Sequence, residues 1–217
     1  MAASATRALA LTTALQLAAA AAAHAANFPV TGTISVNGTS GALPAGGTFG
    51  NSTYNGTTGA LSSGKFTFPQ ASTTFHSDDL GTDVVVNYQL SQTNTSTGQV
   101  APDGVAALSV AHMKLQIVSA FAGGIVPIPL GTCVFQPIDF GLSGTGSATG
   151  LDLSDASFTI PAVASTDCGG FGDQINSGVA GSNNSLDVHI AGNFTPPTPE
   201  DDTIFENGFE AVPGFAG

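Results

Sequence analysis

From Phe28 onward, apolar side chains recur at every second position rather than at every third or fourth. Val30, Ile34 and Val36 alternate with threonine and serine, and Val84, Val86, Tyr88 and Leu90 alternate with Val85, Asn87 and Gln89. In His112-Met113-Lys114-Leu115-Gln116-Ile117 polar and apolar residues exchange at every step. A period of two sends successive side chains to opposite faces of a strand, so each segment has one wet and one buried face. The same reading predicts strands at Lys65 to Phe68, Cys133 to Leu142, Ser157 to Ile160 and Leu186 to Phe194. Between the strands stand Asn37-Gly38, Gly46-Gly47, Asn55-Gly56, Gly123-Gly124, Asn183-Asn184 and Gly192-Asn193, dipeptides that accept the positive φ of tight turns. The expectation is an all-β fold, an antiparallel sandwich of about eight to ten short strands spanning residues 26–195.

Composition closes off the helical alternatives. Only 8% of the 217 residues are charged and three are Lys or Arg, whereas exposed helix faces are normally built from Glu, Lys and Arg. The net charge is −12, a sign that repels phosphate backbones and excludes nucleic acid as a partner.

The N-terminus has its own character. Met1 to Arg7 is short and weakly positive, Ala8 to Ala23 is apolar, and Ala23-His24-Ala25 fits the small-x-small pattern of a cleavage site. Residues 1–25 therefore read as a signal peptide, and the protein as secreted or cell-surface. Broken by Thr12, Thr13 and Gln16, the apolar stretch is shorter than the roughly 20 residues of a spanning helix. Gly104 to Leu130 is also almost uncharged. Its alternating His112, Lys114 and Gln116, with Pro127 and Pro129 beyond, make it two core strands joined at Gly123-Gly124 rather than a membrane span. An outer-membrane barrel would need strands of about nine to eleven residues and aromatic girdles. The chain offers shorter candidates and no tryptophan.

Cys133 and Cys168 are the two cysteines. An oxidising compartment favours a disulfide between them. Two buried thiols or half of a metal site are the alternatives, and the absence of C-x-x-C spacing disfavours zinc.

Chemical motifs are near misses. Gly59 to Lys65 matches the start of a phosphate-binding loop, but Phe66 replaces the hydroxyl residue that would hold magnesium. Ser62-Ser-Gly-Lys65 has S-x-x-K spacing without the helix that makes it useful. His76, His112 and His189 form no H-x-x-x-H pair, and His112 and His189 occupy polar positions of alternating strands. Asp78, Asp79 and Asp83 share one loop and are weak calcium candidates; Asp152 and Asp155 share another. Six N-x-S/T strings, the first at Asn37, read as chance in a chain rich in Asn, Thr and Gly. No cofactor, catalytic or metal residue is assigned.

After Phe194, Thr195-Pro-Pro-Thr-Pro199 is an extended linker, and residues 196–217 form a separate tail. Its Asp202-Thr-Ile204-Phe205-Glu-Asn-Gly208-Phe209-Glu210 resembles the D-x-I-F-x-x-G-F-E ending of many exported proteins of gammaproteobacteria such as the Xanthomonas relatives. The resemblance implies export and a sorting or surface-assembly protein that recognises the tail; it implies no enzyme activity. Here Ala211 to Gly217 continue beyond the motif. The region around Cys133, Pro137-Ile138, Leu142 to Thr145, Phe158 to Pro161, Cys168 and Ile175 to Gly178 is similar, more loosely, to uncharacterised secreted β-proteins of high-GC bacteria. The functional expectation is a non-catalytic structural or adhesive protein. The alternatives are a binding module for an apolar small molecule or lipid, with Phe121 to Leu130 lining its cavity, and a hydrolase using acidic residues.

Overall fold

The structure, a computed structural model, describes residues 26–78 and 80–199. The expected signal peptide, Asp79 and the tail motif lie outside the described residues. Twelve strands follow in order: β1 Ala26–Val36, β2 Thr39–Ala42, β3 Gly47–Tyr54, β4 Ala60–Thr67, β5 Ala71–Ser77, β6 Thr82–Gln92, β7 Ser96–Val100, β8 Val105–Ala122, β9 Val126–Ile128, β10 Cys133–Gly146, β11 Gly150–Ile160 and β12 Gly181–Ala191. A single α-helix among the described residues, α1 at Gly172–Val179, precedes β12. All strand pairings are antiparallel.

The all-β antiparallel class holds, but the sandwich does not. The sheet runs β10-β11-β12-β1-β3-β4-β7-β8, and β8 pairs back onto β10, so eight strands close into a barrel. Closure depends on β8, which is 18 residues long. Cys133 faces Ile117 at one end of its ladder with β10, and Thr145 faces Val105 at the other. On its opposite edge β8 meets β7 first and β6 afterwards. Both run the same way through one slot between β4 and β8, interrupted at residues 93–95. Period-two patterning is satisfied equally by a sandwich and a barrel, because each buries one face of every strand. Asn183-Asn184 is a second correction: the pair lies inside β12 rather than in a turn. Asn184 is buried, its amide nitrogen donating to the carbonyls of Phe158 and Gly181 at 3.1 and 2.7 Å, while its oxygen accepts from the Asn37 amide.

Apolar side chains point inward. Leu151, Leu153, Val188 and Ile190 are buried while their neighbours Asp152, Ser154 and Asp187 stand outside. A membrane barrel has the reverse polarity, with lipid-facing apolar residues around the outside. The interior of an eight-strand barrel is just wide enough to be filled by side chains, and here Phe49, Phe66, Phe68, Phe135, Leu108 and Leu142 fill it. An internal void of about 30 Å³ remains, lined by apolar residues including Phe66, Phe68, Met113 and Val188.

One mouth is plugged by the chain's own continuation. After β12, Phe194 turns back into the barrel, fully buried between Phe28 (centroids 4.8 Å apart) and Tyr54 (5.4 Å). Tyr54 donates its hydroxyl to the Thr195 carbonyl at 2.6 Å. Burial raises the Tyr54 pKa above its ordinary 10.0. A raised tyrosine pKa means that folding favours the neutral phenol. Its contribution is complete below the unfolded value and is lost as pH climbs through the folded one. Melting curves between pH 9 and 11.5 should therefore show an alkaline loss of stability that shrinks in Tyr54→Phe. That variant should also lose roughly 1 kcal/mol at neutral pH with the hydrogen bond.

Candidate functional site

The barrel wall opens at one seam. β10 and β11 pair only from Ser143 to Gly146 against Leu151 to Ser154. Beyond Ser143 the two strands part, because β10 follows β8 while β11 stays with β12 as far as Ile160. The parted strands leave an open depression of about 540 Å³ lined by Pro137, Asp139, Gly141, Asp155, Ser157, Phe158, Thr159 and Pro161. Its floor is Phe158, packed edge-on against Phe140 with ring centroids 4.6 Å apart.

Two carboxylates flank this cleft, and both are tied to backbone. Asp155 accepts the Gly141 N–H at 2.8 Å on one oxygen and the Ser157 N–H at 2.9 Å on the other. It staples β10 to β11 where their ladder ends. Asp139 Oδ1 accepts the His112 N–H at 2.6 Å. That amide is available because β8 bulges against β10, with Ala111 and His112 opposite Asp139 alone. His112 takes the positive φ of 58° that the bulge requires. Asp155→Ala removes two charge-assisted bonds from a half-buried junction, and a loss of roughly 2 kcal/mol is expected in urea unfolding.

The residues singled out in the sequence lie apart. Only Gly59 of the Gly59 to Lys65 string stands outside β4; Ala60 to Lys65 are strand, with Phe66 buried after them, and the string forms no phosphate cradle. His76 and Asp83 are cross-strand partners on β5 and β6, Nδ1 to Oδ1 2.9 Å. His189 and Asp152 are partners on β12 and β11 at 2.7 Å. Among the described residues neither pair has a serine or cysteine nucleophile hydrogen-bonded to its histidine. His112 Nδ1 lies 2.9 Å from the Asn94 side-chain nitrogen. Of the calcium candidates, Asp78 is exposed, Asp83 is engaged by His76, and Asp79 is outside the described residues. Among the described residues no three His, Cys, Asp or Glu side chains gather as a metal would require. Sequence reasoning missed Asp139, which sits in a strand it had predicted. The interrupted alternation Gln136-Pro137-Ile138-Asp139 is its one trace.

Cys133 and Cys168 form a disulfide, Cα atoms 4.4 Å apart, both buried. The bond ties the start of β10 to the segment before α1, beside the cleft. The Cys168 N–H also donates to the Thr132 carbonyl at 3.2 Å. No described helix is long and apolar enough to cross a membrane.

Comparison with protein-family models, with curated proteins and with solved structures finds no match. An eight-strand barrel carries no activity of its own, so function has to be argued from surfaces and sites.

Proposed function

We propose that this is an exported, non-catalytic β-barrel of structural or adhesive type, which holds its partner through a ribbon projecting beyond the barrel. The ribbon carries the reading. β5, the first half of β6, the end of β8 and β9 continue the sheet past the closed ring. Across it, Phe75 pairs with Val84, Val84 with Ala122 and Ala122 with Val126, an apolar row whose inner member Val84 is covered, at 3% exposed, and whose two ends are not. Phe75 is 51% exposed, Val126 62% and the tip residue Ile125 82%. Val105 (55%) and Val118 (44%) on β8 are exposed singly, but at the ribbon's tip Ile125 and Val126 stand side by side, and exposed apolar groups in contiguity mark contact surfaces. β5 adds an edge strand that no described strand covers. Export is supported by the N-terminal pattern and by the disulfide. The carrier alternative finds no support in a void of about 30 Å³, and Phe121 to Leu130 forms the ribbon's hairpin rather than a cavity wall.

The test is a triple variant, Phe75→Ser, Ile125→Ser and Val126→Ser, expressed in a bacterium that exports the wild type. Retention on the cell surface, or self-association in sedimentation, should fall at least tenfold while the melting temperature changes by under about 3 °C. Unchanged retention and unchanged association would overturn the reading.

The seam cleft favours a second reading, hydrolysis, through one observation: two carboxylates on an open groove. With both oxygens of Asp155 accepting backbone amides, Asp139 is the group left for acid–base work. Any glycosidase or esterase activity found in the wild type should vanish in Asp139→Asn, and an activity unaffected by that change would remove the cleft from consideration.

A further inference from the structure

Lys65 and Lys114 are the two lysines of a chain with fifteen carboxylates, and the barrel brings them to one patch of its outer face. Thr67 pairs with Ser91, and Ser91 with Lys114, in one row across β4, β6 and β8. In the adjoining row Lys65 donates from Nζ to the Thr93 carbonyl at 2.7 Å, and the Thr93 N–H donates to the His112 carbonyl at 3.1 Å. Two strand spacings, roughly 10 Å, therefore separate Lys65 from the strand that carries His112 and Lys114. The phenylalanine and methionine neighbours in sequence, Phe66 and Met113, are buried on the inner face, which fixes both lysines outward. Among the described residues neither lysine has a carboxylate within 4.0 Å. The carboxylate placed closest along the sheet, Asp139, is bonded through Oδ1 to the His112 amide.

The last described residues lie at the start of β4, the strand that carries Lys65. Pro197 packs on the β3–β4 turn, its Cδ 3.3 Å from the position of a Cβ on Gly59. From Gly59 to Lys65 is six residues of strand, about 20 Å. Asp202 lies five residues beyond Pro197 and Glu206 nine, so at full extension they reach about 17 and 30 Å. That interval brackets the lysines. Between Glu200 and Glu210 the tail carries five carboxylates and no basic residue.

We propose that the tail, Glu200 to Glu210, docks in cis along the outer face of β4, β6 and β8, with its carboxylates paired to Lys65 and Lys114. Both basic groups of the barrel then face the chain's most concentrated negative charge, and the Ile204-Phe205 pair is held at the wall instead of trailing. Release of this contact, by salt or by a competing partner, presents the motif. The contact is independent of what the ribbon binds.

The first variant leaves the barrel unaltered. In it the five tail carboxylates become amides: Glu200→Gln, Asp201→Asn, Asp202→Asn, Glu206→Gln and Glu210→Gln. At low salt the amide NMR signals of Thr67, Ser91, Thr93 and Lys114 should differ between this variant and wild type, and the difference should vanish in 0.5 M NaCl, about 4 Å in screening length. Lys114→Gln in the natural chain should speed protease cleavage within the tail by about threefold to fivefold, the scale of one exposed ion pair. Shift differences confined to other parts of the barrel, or none, would overturn the proposal. So would differences that grow with protein concentration, which would place the tail on a second copy. Unchanged cleavage in Lys114→Gln would likewise count against it.

Discussion

Replacing Cys133 and Cys168 together by alanine is expected to lower stability by about 4 kcal/mol, the chain-entropy value for a loop of this length. The 35-residue separation sets that scale, because the cross-link restricts the unfolded chain far more than the folded one. In a domain of this size the melting temperature should fall by roughly 8–16 °C. The loop between the cysteines contains β10, β11 and the seam cleft between them. Loss of the bond should therefore act first on the wall where β10 and β11 have already parted. Hydrogen exchange offers the finer check. Amides near Val134, Phe135 and the 160–171 segment should lose protection before those of β1 and β3 do. A drop of under 1 kcal/mol, with exchange unchanged in this region, would show that the loop is held by packing alone.

The second large effect lies at the opposite wall. Phe49 on β3 is fully buried, and its ring occupies the space that a side chain at Gly64 would fill: a Cβ there would sit 1.9 Å from Phe49 Cζ. Phe49→Ala should cost about 3–5 kcal/mol through lost burial and the hole left behind. Gly64→Val in the wild type should cost at least about 2 kcal/mol by overpacking. The two changes share one volume, so the double variant should be more stable than the sum of the single costs predicts, by about 1–3 kcal/mol. Simple additivity in urea unfolding would mean that the ring moves aside rather than competing for the site.

The strong alternating strands and their wet and dry faces were legible in the sequence because they are local, whereas β2, β3, β5 and β7, with weak alternation, were not expected. His112 to Ile117 shows in six residues which side chains face water, and β8 has Met113 and Ile117 buried as that alternation requires. The disulfide was legible by number, since two cysteines allow one intramolecular pair. Closure was not legible, because it rests on Cys133 facing Ile117 and Thr145 facing Val105, and nothing in either strand alone specifies that register. Turn chemistry misled at Asn183-Asn184. Asn184 is buried because its side chain serves three backbone groups contributed by the β1–β2 turn, β11 and β12, and an asparagine with such partners resembles a turn residue until they are seen. The cleft escaped for a related reason. It exists where β10 and β11 stop pairing, a property of two strands jointly; Asp152 and Asp155, expected in a loop, both lie in β11.

The first and last of the described strands are neighbours in the ring. Val30 of the first strand pairs with Ile190 of the last, and Phe194 sits against Phe28 and Tyr54. Contacts so distant in sequence make folding slow, because loop closure precedes the reward for it. β1, paired with β2 and β3 early in the chain, must wait for β12 before its other edge is covered. The order of synthesis thus delays closure of the ring until the last of the described strands has been made.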